Sequence, residues 1–500
     1  MTGASVDYEL LVVGGGINGA GIARDAAGRG LRVLLCEQDD LAAHTSSAST
    51  KLIHGGLRYL EQFEFRLVRK ALAEREVLLT AAPHIMWPLR FVLPHEPHLR
   101  PAWMIRAGLF LYDHLARRRL LQGSETVDLR HHEAGSALRA GYRHGFVYSD
   151  GWVDDARLVV LNALDAHERG ARILTRTRCT RIAREQGAWT AALHGADGAR
   201  ELVRARAVVN ATGPWVGQFL DQATPLRASQ AVRLVKGSHI VVPRLFEHPY
   251  AYIFQNADRR IIFAIPYEHE FTLIGTTDVD YHGDPARLAI SSDEVHYLIE
   301  HASRHFRRPV TAADVVWSYA GVRPLHEDES SDPSSVTRDY SFEFDVDGPA
   351  LLSVFGGKIT TYRRLAEDAL ARLLPVLGVE CDPWTASAPL PGGELPGADY
   401  AVFRAALGER RPGFAPGLLD RWGRAYGARL ERWLGEARTT ADLGAEVLPG
   451  LYAAEISYLR RHEWARSAAD ILWRRTKLGL HLPPDATATL EAWLAPQAAA

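Results

Sequence analysis

The pattern of hydrophobic and polar positions is clearest near the start of the chain. Residues 10–13 form a short, wholly apolar run, which is typical of a strand buried on both faces of a parallel sheet. An alanine-rich stretch, residues 17–29, fits a helix, and a second apolar run over residues 31–35 leads to the acidic Glu37. Strand, helix and strand within about thirty residues make one βαβ unit. The pattern therefore predicts an α/β fold with a parallel sheet.

The turn between this first strand and helix carries Gly14, Gly16 and Gly19 in the spacing G-x-G-x-x-G. Such glycines permit a tight turn, the close approach of a pyrophosphate, and close packing of helix on strand. The N–H groups of the helix N-terminus, near Asn18, attract phosphate. Glu37, about twenty residues further on, can accept hydrogen bonds from ribose hydroxyls. Because motif, flanking elements and acid occur together, we predict a dinucleotide site.

The rest of the chain divides into regions with different patterns of hydrophobic, polar and turn-forming residues. Helical patterns cover residues 63–80, 101–120 and 292–306, and Asp154 is a good N-cap for a helix that ends near residue 168. Short β-rich runs separated by turns dominate residues 233–355, and prolines mark residues 382–397 as a linker. We predict a discontinuous nucleotide-binding domain (1–80, 145–232 and 350–381), a helical and loop insertion (81–144), a β-rich substrate domain (233–349), the linker (382–397) and a C-terminal helical domain (398–500).

Composition and charge narrow the class of protein. The chain has 500 residues, 47% of them hydrophobic and 24% charged, as in a globular protein of two or three domains. Its net charge of -2 gives no general attraction to nucleic acid. Three widely spaced cysteines (Cys36, Cys179 and Cys381) argue against a disulfide framework or a metal site and fit a reducing cytoplasm. No apolar run approaches the roughly twenty residues of a membrane span, and the first strand leaves no room for a signal peptide. We expect a cytoplasmic protein whose membrane contact is at most peripheral.

The segment 101–120 offers one candidate for such contact. Apolar residues from Met104 to Leu115 share one helical face, and Arg117, Arg118 and Arg119 follow. A helix of this kind can lie on an anionic membrane surface. It can equally be an ordinary amphipathic helix packed on the core. Both interpretations stay open at this point.

Several later segments complete the predicted cofactor site. The polar loop that includes Thr45, Ser46, Ser47 and Lys51 leads to Leu52 and His54. A strand ends at Ala211-Thr212-Gly213, and another glycine-rich turn precedes a helix at Gly357, Lys358 and Thr360. These segments are distributed over most of the chain. Such a distribution favours one large enclosed flavin over a detachable nicotinamide cofactor.

The chain resembles the FAD-dependent (respiratory, aerobic) glycerol-3-phosphate dehydrogenases of bacteria, in a series of motifs that follow one another in order. They are residues 14–21 (GGGINGAG), 45–61 (TSSASTKLIHGGLRYLE), 148–158 (YSDGWVDDARL), 210–215 (NATGPW), 236–240 (KGSHI), 274–278 (IGTTD), 321–325 (GVRPL), 355–363 (FGGKITTYR) and 473–477 (WRRTK). The resemblance implies a Rossmann-like, two-dinucleotide-type FAD-binding domain with an inserted β-rich substrate domain.

The resemblance also implies the chemistry. FAD would oxidise sn-glycerol 3-phosphate to dihydroxyacetone phosphate and pass the electrons to a membrane quinone, in a homodimer bound peripherally to the cytoplasmic face of the membrane. A dianionic phosphate requires cations, and arginine's planar fork suits it. We therefore expect the substrate at Arg58, Tyr59, Arg323, Arg338 and Lys358. Either His54 or His239 would take the hydroxyl proton, while Lys358 stabilises reduced flavin.

Three other functions remain possible from the sequence. A glycerol-3-phosphate oxidase would use the same pocket and pass its electrons to oxygen. An amine or amino-acid oxidase of the same fold would need a carboxylate-binding arginine without the cluster of cations. A flavin-binding scaffold would need no cationic pocket, so the set of histidines, arginines and lysine disfavours it.

Overall fold

The computed structural model describes residues 6–96, 99–230, 232–256, 258, 260–326 and 339–495. Strands in the first half are β1 (Tyr8–Val13), β2 (Val33–Cys36), β3 (Leu52–Ile53), β4 (Met86–Pro94), β5 (Glu125–Asp128), β6 (His144–Val153), β7 (Arg172–Leu174), β8 (Thr177–Glu185), β9 (Ala188–Gly195) and β10 (Arg200–Asn210). The later strands are β11 (Val232–Pro243), β12 (Ala251–Gln255), β13 (Ile261–Tyr267), β14 (Phe271–Gly275), β15 (Val279–Asp280), β16 (Trp317–His326), β17 (Ser341–Asp345), β18 (Ala350–Phe355), β19 (Glu446–Leu448) and β20 (Leu451–Tyr452).

The α-helices occur in all parts of the chain. They are α1 (Ile17–Gly28), α2 (Phe65–Ala81), α3 (Ala102–His114), α4 (Asp155–Glu168), α5 (Val216–Ala223), α6 (Ser292–His305), α7 (Tyr362–Leu377), α8 (Tyr400–Arg410), α9 (Pro416–Tyr426), α10 (Leu430–Leu434), α11 (Ala453–His462) and α12 (Ala486–Leu494). As predicted, Asp154 caps α4, where its side chain accepts a hydrogen bond from the Arg157 N–H.

The first sheet has the strand order β17-β18-β10-β1-β2-β7, and β9 and β8 extend it from β10. The central strands β18, β10, β1, β2 and β7 run parallel. Buried aliphatic side chains of β1, β2, β10 and β18 form one core with α1, α4 and α7. The predicted α/β, Rossmann-like fold is therefore confirmed. Because the strands are parallel, their carboxyl ends at Val13, Cys36, Asn210 and Phe355 share one edge of the sheet.

The second sheet is mostly antiparallel, with the order β15-β11-β14-β13-β12-β4-β6-β3, and with β16 beside β11 and β5 beside β6. Its strands β4 and β5 lie in residues 81–144, where we predicted only helix and loop. Pro88 and Pro94 within β4 disguise the strand pattern, because proline is normally confined to strand ends and edges. Strand β6 also pairs here, although we expected residues 145–153 in the nucleotide-binding domain.

The C-terminal region is largely helical, as predicted, and adds the unpredicted β19-β20 hairpin. The segment 382–397 is not a free linker. The Trp384 ring lies against Gly28, where a Cβ atom would be only 2.0 Å from it, and its Nε1 donates to the Asp25 carbonyl. Leu390 is buried and its N–H donates to the Ala81 carbonyl. The apolar side chains of this segment thus fix it to the nucleotide-binding domain.

A buried joint connects the C-terminal domain to the rest of the chain. The Arg157 guanidinium on α4 pairs with Glu463, and both side chains are almost fully buried. His84 is also fully buried beside this pair, and neither of its ring nitrogens has a hydrogen-bond partner among the described residues. Burial, reinforced by the charges of Arg157 and Arg424, lowers the pKa of His84 to about 3. The imidazole is therefore neutral at physiological pH.

Helix α3 has one buried and one exposed face. Leu109 and Tyr112 are buried, whereas Trp103 is 70% exposed and Phe110 is 56% exposed. Among the described residues, no helix combines the length and the apolar character needed to cross a membrane. The helix ends at His114 and is therefore shorter than the predicted 101–120.

Candidate active site

A cavity of about 670 Å³ lies where the carboxyl edge of the first sheet faces the second sheet. The loops after β1, β2, β10 and β18 form one wall, as expected for ligand sites in open parallel sheets. Side chains of the second sheet, among them Phe91, His239 and Phe263, form the other. The volume lies in the range of small-molecule and cofactor sites.

The glycine-rich turn after β1 forms a cradle at this cavity. Gly14 has a φ of +109°, and a Cβ atom there would lie 2.4 Å from the Ala211 carbonyl oxygen. A Cβ atom on Gly19 would lie 1.9 Å from the Gly14 carbonyl oxygen, so only glycine permits this contact between α1 and β1. A Cβ on Gly16 would meet only the Ser46 hydroxyl, at 3.1 Å. The backbone is therefore accessible to a pyrophosphate at the N-terminus of α1.

Glu37 is buried at the end of β2 and lines the same cavity. Its carboxylate accepts hydrogen bonds from the N–H groups of Gly15, at 2.7 Å, and Asp39, at 2.9 Å. Burial nevertheless raises the pKa of Glu37. A carboxylate held in this way still has lone pairs for ribose hydroxyls.

The polar loop after Glu37 contacts the cradle directly. Ser46 accepts a hydrogen bond from the Ile17 N–H at 3.0 Å, and Thr45 donates to the Val322 carbonyl on β16 at 2.9 Å. Of the predicted cofactor residues, Gly19, Ser47 and Lys51 are not on the described cavity wall. The Lys51 ammonium lies 2.7 Å from Asp155, with both side chains buried, so its contact is to α4.

The cradle has a further feature that fits a dinucleotide. The Asn18 side-chain amide donates to the Gly356 carbonyl at 3.2 Å, while its Oδ1 is buried and has no partner among the described residues. Asn18 thus joins the turn after β1 to the glycine-rich turn after β18. The predicted Leu52, Ala211, Thr212, Gly213, Gly357, Lys358 and Thr360 also line the cavity.

Most of the predicted substrate residues line this cavity. Arg58, Tyr59, Arg323 and Lys358 all line it, and the Lys358 ammonium lies 3.9 Å from the centre of the Tyr59 ring. Arg323 pairs with Asp278 and donates to the Thr276 hydroxyl at 3.0 Å. These contacts orient the guanidinium. Arg338 lies outside the described residues.

Both predicted histidines line the cavity. The backbone N–H of His54 donates to the Thr360 hydroxyl at 3.2 Å. The His239 ring is buried, lies parallel to Tyr319 with 4.8 Å between ring centres, and its Nε2 is 3.0 Å from the Thr50 hydroxyl. Burial and the nearby cations Arg323 and Lys51 hold the pKa of His239 well below its usual value.

The sequence did not identify four residues that support this site. Thr50 and Tyr319 contact His239, and Thr276 and Asp278 contact Arg323. Thr276 and Asp278 belong to the motif at residues 274–278, but the sequence alone does not show that Asp278 faces Arg323. That contact depends on the pairing of β11 with both β16 and β15.

Comparisons with known proteins define the class. The family of FAD-dependent oxidoreductases matches residues 9–363, and the C-terminal domain of alpha-glycerophosphate oxidase matches residues 384–495. The chain thus belongs to the FAD-dependent oxidoreductases, and its cofactor is FAD.

Individual relatives define the family more narrowly. The chain is 56% identical over 489 residues to a glycerol-3-phosphate dehydrogenase of Pseudomonas aeruginosa, covering 97% of this chain and 95% of the relative. It is 51% identical to D-erythritol 1-phosphate dehydrogenase of Brucella abortus, covering 97% of each. The crystal structure of the glycerol-3-phosphate dehydrogenase from Bacillus halodurans complexed with FAD aligns with a TM-score of 0.79 at 28% identity, covering 98% of this chain and 90% of that one. The chain belongs to the glycerol-3-phosphate dehydrogenase family of flavoenzymes, as its motifs predicted.

Proposed function

We propose that this enzyme oxidises sn-glycerol 3-phosphate to dihydroxyacetone phosphate. The observation that carries the proposal is the set of cations, Arg58, Arg323 and Lys358, in the same cavity as the dinucleotide cradle. A site for an uncharged alcohol or an amino acid would not need three cations. A dianionic phosphate satisfies them, and arginine can bind it through two parallel hydrogen bonds.

Bound FAD supplies the acceptor for the hydride that leaves the alcohol carbon. The protein's own part is to bind and orient the substrate and to accept one proton. Asp278 and Thr276 accept hydrogen bonds from the two terminal nitrogens of Arg323, and these contacts fix the guanidinium that we propose contacts the phosphate. Lys358 follows Gly357 on the cavity wall and adds positive charge there, which would stabilise negative charge on the bound cofactor.

The two histidines have different parts in this proposal. His239 is a weak base, because burial and two neighbouring cations oppose its protonation. We assign it the role of orienting the substrate hydroxyl as a neutral imidazole. His54, on the loop that leads to Arg58, takes the hydroxyl proton.

The test is an anaerobic titration of the purified holoenzyme, followed at the visible absorbance band of oxidised flavin. Glycerol 3-phosphate should bleach the band, whereas glycerol and amino acids should leave it unchanged. A yellow protein that glycerol 3-phosphate does not bleach would contradict the proposed substrate.

A longer polyol phosphate is the second candidate substrate. The Brucella abortus relative, named for D-erythritol 1-phosphate, is 51% identical to this chain. The cations that bind phosphate would serve both substrates, so the choice depends on the space around the polyol. Steady-state kinetics with each compound and a quinone analogue give two values of kcat/KM, and a higher value for D-erythritol 1-phosphate would reassign the substrate.

The electron acceptor in this proposal is a membrane quinone, and oxygen is the alternative. Comparison of a soluble quinone analogue with oxygen, at equal substrate, distinguishes a dehydrogenase from an oxidase. We also propose a homodimer, on the family resemblance alone. Sedimentation of the holoenzyme at micromolar concentration checks it, and a monomer would refute it.

The exposed face of α3 is the proposed contact with an anionic membrane. Phe63, Trp103, Phe110 and Leu111 are exposed hydrophobic residues, and an ion pair between Arg100 and Glu61 brings the N-terminus of α3 close to Phe63. At the other end of the helix, Arg117 and Arg119 are exposed, whereas Arg118 pairs with Asp113. Apolar side chains flanked by exposed cations are typical of interfacial helices.

The test is sedimentation with vesicles of phosphatidylcholine and phosphatidylglycerol. Replacing Arg117 and Arg119 by glutamate, or Trp103 by serine, should release the protein into the supernatant. A matched control replaces two exposed arginines elsewhere, Arg227 and Arg287, by glutamate and should stay bound. Binding that survives the first variants would refute α3 as the contact.

A further inference from the structure

The motif at residues 473–477 has no part in the proposed reaction, yet it contacts three regions around the cavity. It begins within a short π-helix, Asp470–Arg475, of the C-terminal domain. Its side chains reach the loop after β2, the N-terminus of α4 and the start of β16. Single π-helical turns are rare and often occur at functional sites.

The strongest contacts are to Asp40, in the loop of residues 37–44, which we call the Asp40 loop. Arg475 donates to both carboxylate oxygens of Asp40, at 2.8 and 2.9 Å, and Arg474 donates a third hydrogen bond at 2.7 Å. The Arg475 and Asp40 side chains are at most 1% exposed. Two arginines on one buried carboxylate fix the loop firmly, because charge-assisted hydrogen bonds in a dry environment are strong.

The Asp40 loop forms part of the cavity wall. Glu37 begins it and His44 ends it, and both line the cavity, as do Ala42 and Ala43. Asp40 itself does not line the described wall, so the two arginines act on the cavity through the loop and not by direct contact.

Two further contacts of the motif are made to elements beside the cavity, namely α4 and β16. The Lys477 ammonium lies 3.5 Å from Asp154, the N-cap of α4, and the next residue, Asp155, holds Lys51 in the polar loop. The Trp473 ring stacks on Trp317, with 3.7 Å between ring centres and 12° between planes. Trp317 begins β16, the strand that carries Arg323.

We propose that Arg474 and Arg475 are positioning residues for FAD, through which the C-terminal domain holds the Asp40 loop in its binding conformation. This assigns the C-terminal domain a function in cofactor retention. This proposal depends on FAD as the cofactor and not on the identity of the substrate. It would therefore hold even if the enzyme oxidised another polyol phosphate.

The test measures the affinity for FAD. The holoenzymes of Arg475→Gln and Asp40→Asn are diluted stepwise, and the fluorescence of released FAD gives the Kd. Each variant should raise the Kd tenfold or more. The Kd of the double variant, Arg475→Gln with Asp40→Asn, should not exceed that of the more severe single variant, because both substitutions break the same contact. Arg474→Gln, which leaves Arg475 on Asp40, should give a smaller increase.

A matched control separates positioning from general stability. Arg421 makes a comparable ion pair with the buried Glu455, but both residues lie within the C-terminal domain. Arg421→Gln should lower the thermal unfolding midpoint and leave the Kd for FAD within twofold of the original protein. If Arg475→Gln does not fold, Arg474→Gln and Asp40→Asn carry the same test. An unchanged Kd in these variants, or an equal increase in Arg421→Gln, would overturn the proposal.

Discussion

The neutral, fully buried His84 predicts how acid destabilises the joint of the C-terminal domain. Its pKa is about 3 in the folded protein, against an ordinary value of 6.5. Above about pH 7 neither state is protonated and the residue has no effect. As the pH falls below 6.5, the unfolded chain binds a proton that the folded chain refuses, so stability decreases by about 1.4 kcal/mol for each pH unit. At pH 4.5, two units lower, the loss is about 2.7 kcal/mol.

The assay is urea unfolding of the holoenzyme at several values between pH 7.5 and 4.5, for the original protein and for His84→Asn. Asparagine does not titrate, so the free energy of unfolding of the variant should fall less steeply with acid, by about 2.7 kcal/mol over this range. A constant destabilisation by the substitution itself cancels in this difference. His194, exposed on β9, provides the control, and His194→Asn should follow the original protein. Parallel curves for His84→Asn and the original protein would refute the reasoning.

Three further predictions concern the cavity. Arg323→Lys keeps the charge but loses the fork, so KM for glycerol 3-phosphate should rise roughly 10- to 150-fold, the equivalent of about 1.5 to 3 kcal/mol for a charge-assisted hydrogen bond; steady-state kinetics with a quinone analogue measures it, and an unchanged KM contradicts a phosphate contact. In His239→Asn the dependence of kcat/KM on acidic pH should stay as in the original protein, because a histidine with so low a pKa does not titrate there. His54→Asn removes the proposed base and should lower kcat by roughly 10²- to 10⁴-fold, more than His239→Asn does; the reverse order would exchange their roles. Gly19→Ala should purify without the flavin absorbance band, because the added methyl group would lie 1.9 Å from the Gly14 carbonyl oxygen; a yellow variant would contradict the tight turn.

The parts of the fold with a strong local signal could be predicted from the sequence. Strand β1, helix α1 and strand β2 have a distinct periodicity, and their glycines have a specific steric cause, as at Gly14 and Gly19. Strand β4 was missed because Pro88 and Pro94 hide it, and its place in the sheet depends on partners far along the chain. The segment 382–397 was interpreted as a linker because proline content does not reveal that Trp384 has a surface to pack on.

The candidate site, like the fold, could be predicted where the signal is local and not where it depends on tertiary contacts. The cradle and the cations Arg58, Arg323 and Lys358 belong to contiguous motifs, so the resemblance located them. The contacts that orient them are tertiary. Asp278 reaches Arg323, and Tyr319 stacks on His239, only after distant strands pair. Lys51 belongs to a motif rich in polar residues, but its ammonium group forms a buried ion pair with Asp155. Sequence patterns thus identify which chemistry is present, but not which side chains support it.

The strand order of the first sheet has a consequence for biosynthesis. Strand β1, made first, has β10 as a neighbour, and β10 in turn pairs with β18, which ends at Phe355. Every described strand of the second sheet precedes β18 in the chain, so all of them are made before this strand leaves the ribosome. The nucleotide-binding sheet therefore stays unfinished for most of translation. The part of β10 that pairs with β18, residues 207–210, is until then unpaired on that side, because β9 covers only residues 200–205. Contacts of such long sequence separation form slowly, so the nascent sheet exposes this edge until its last central strand arrives.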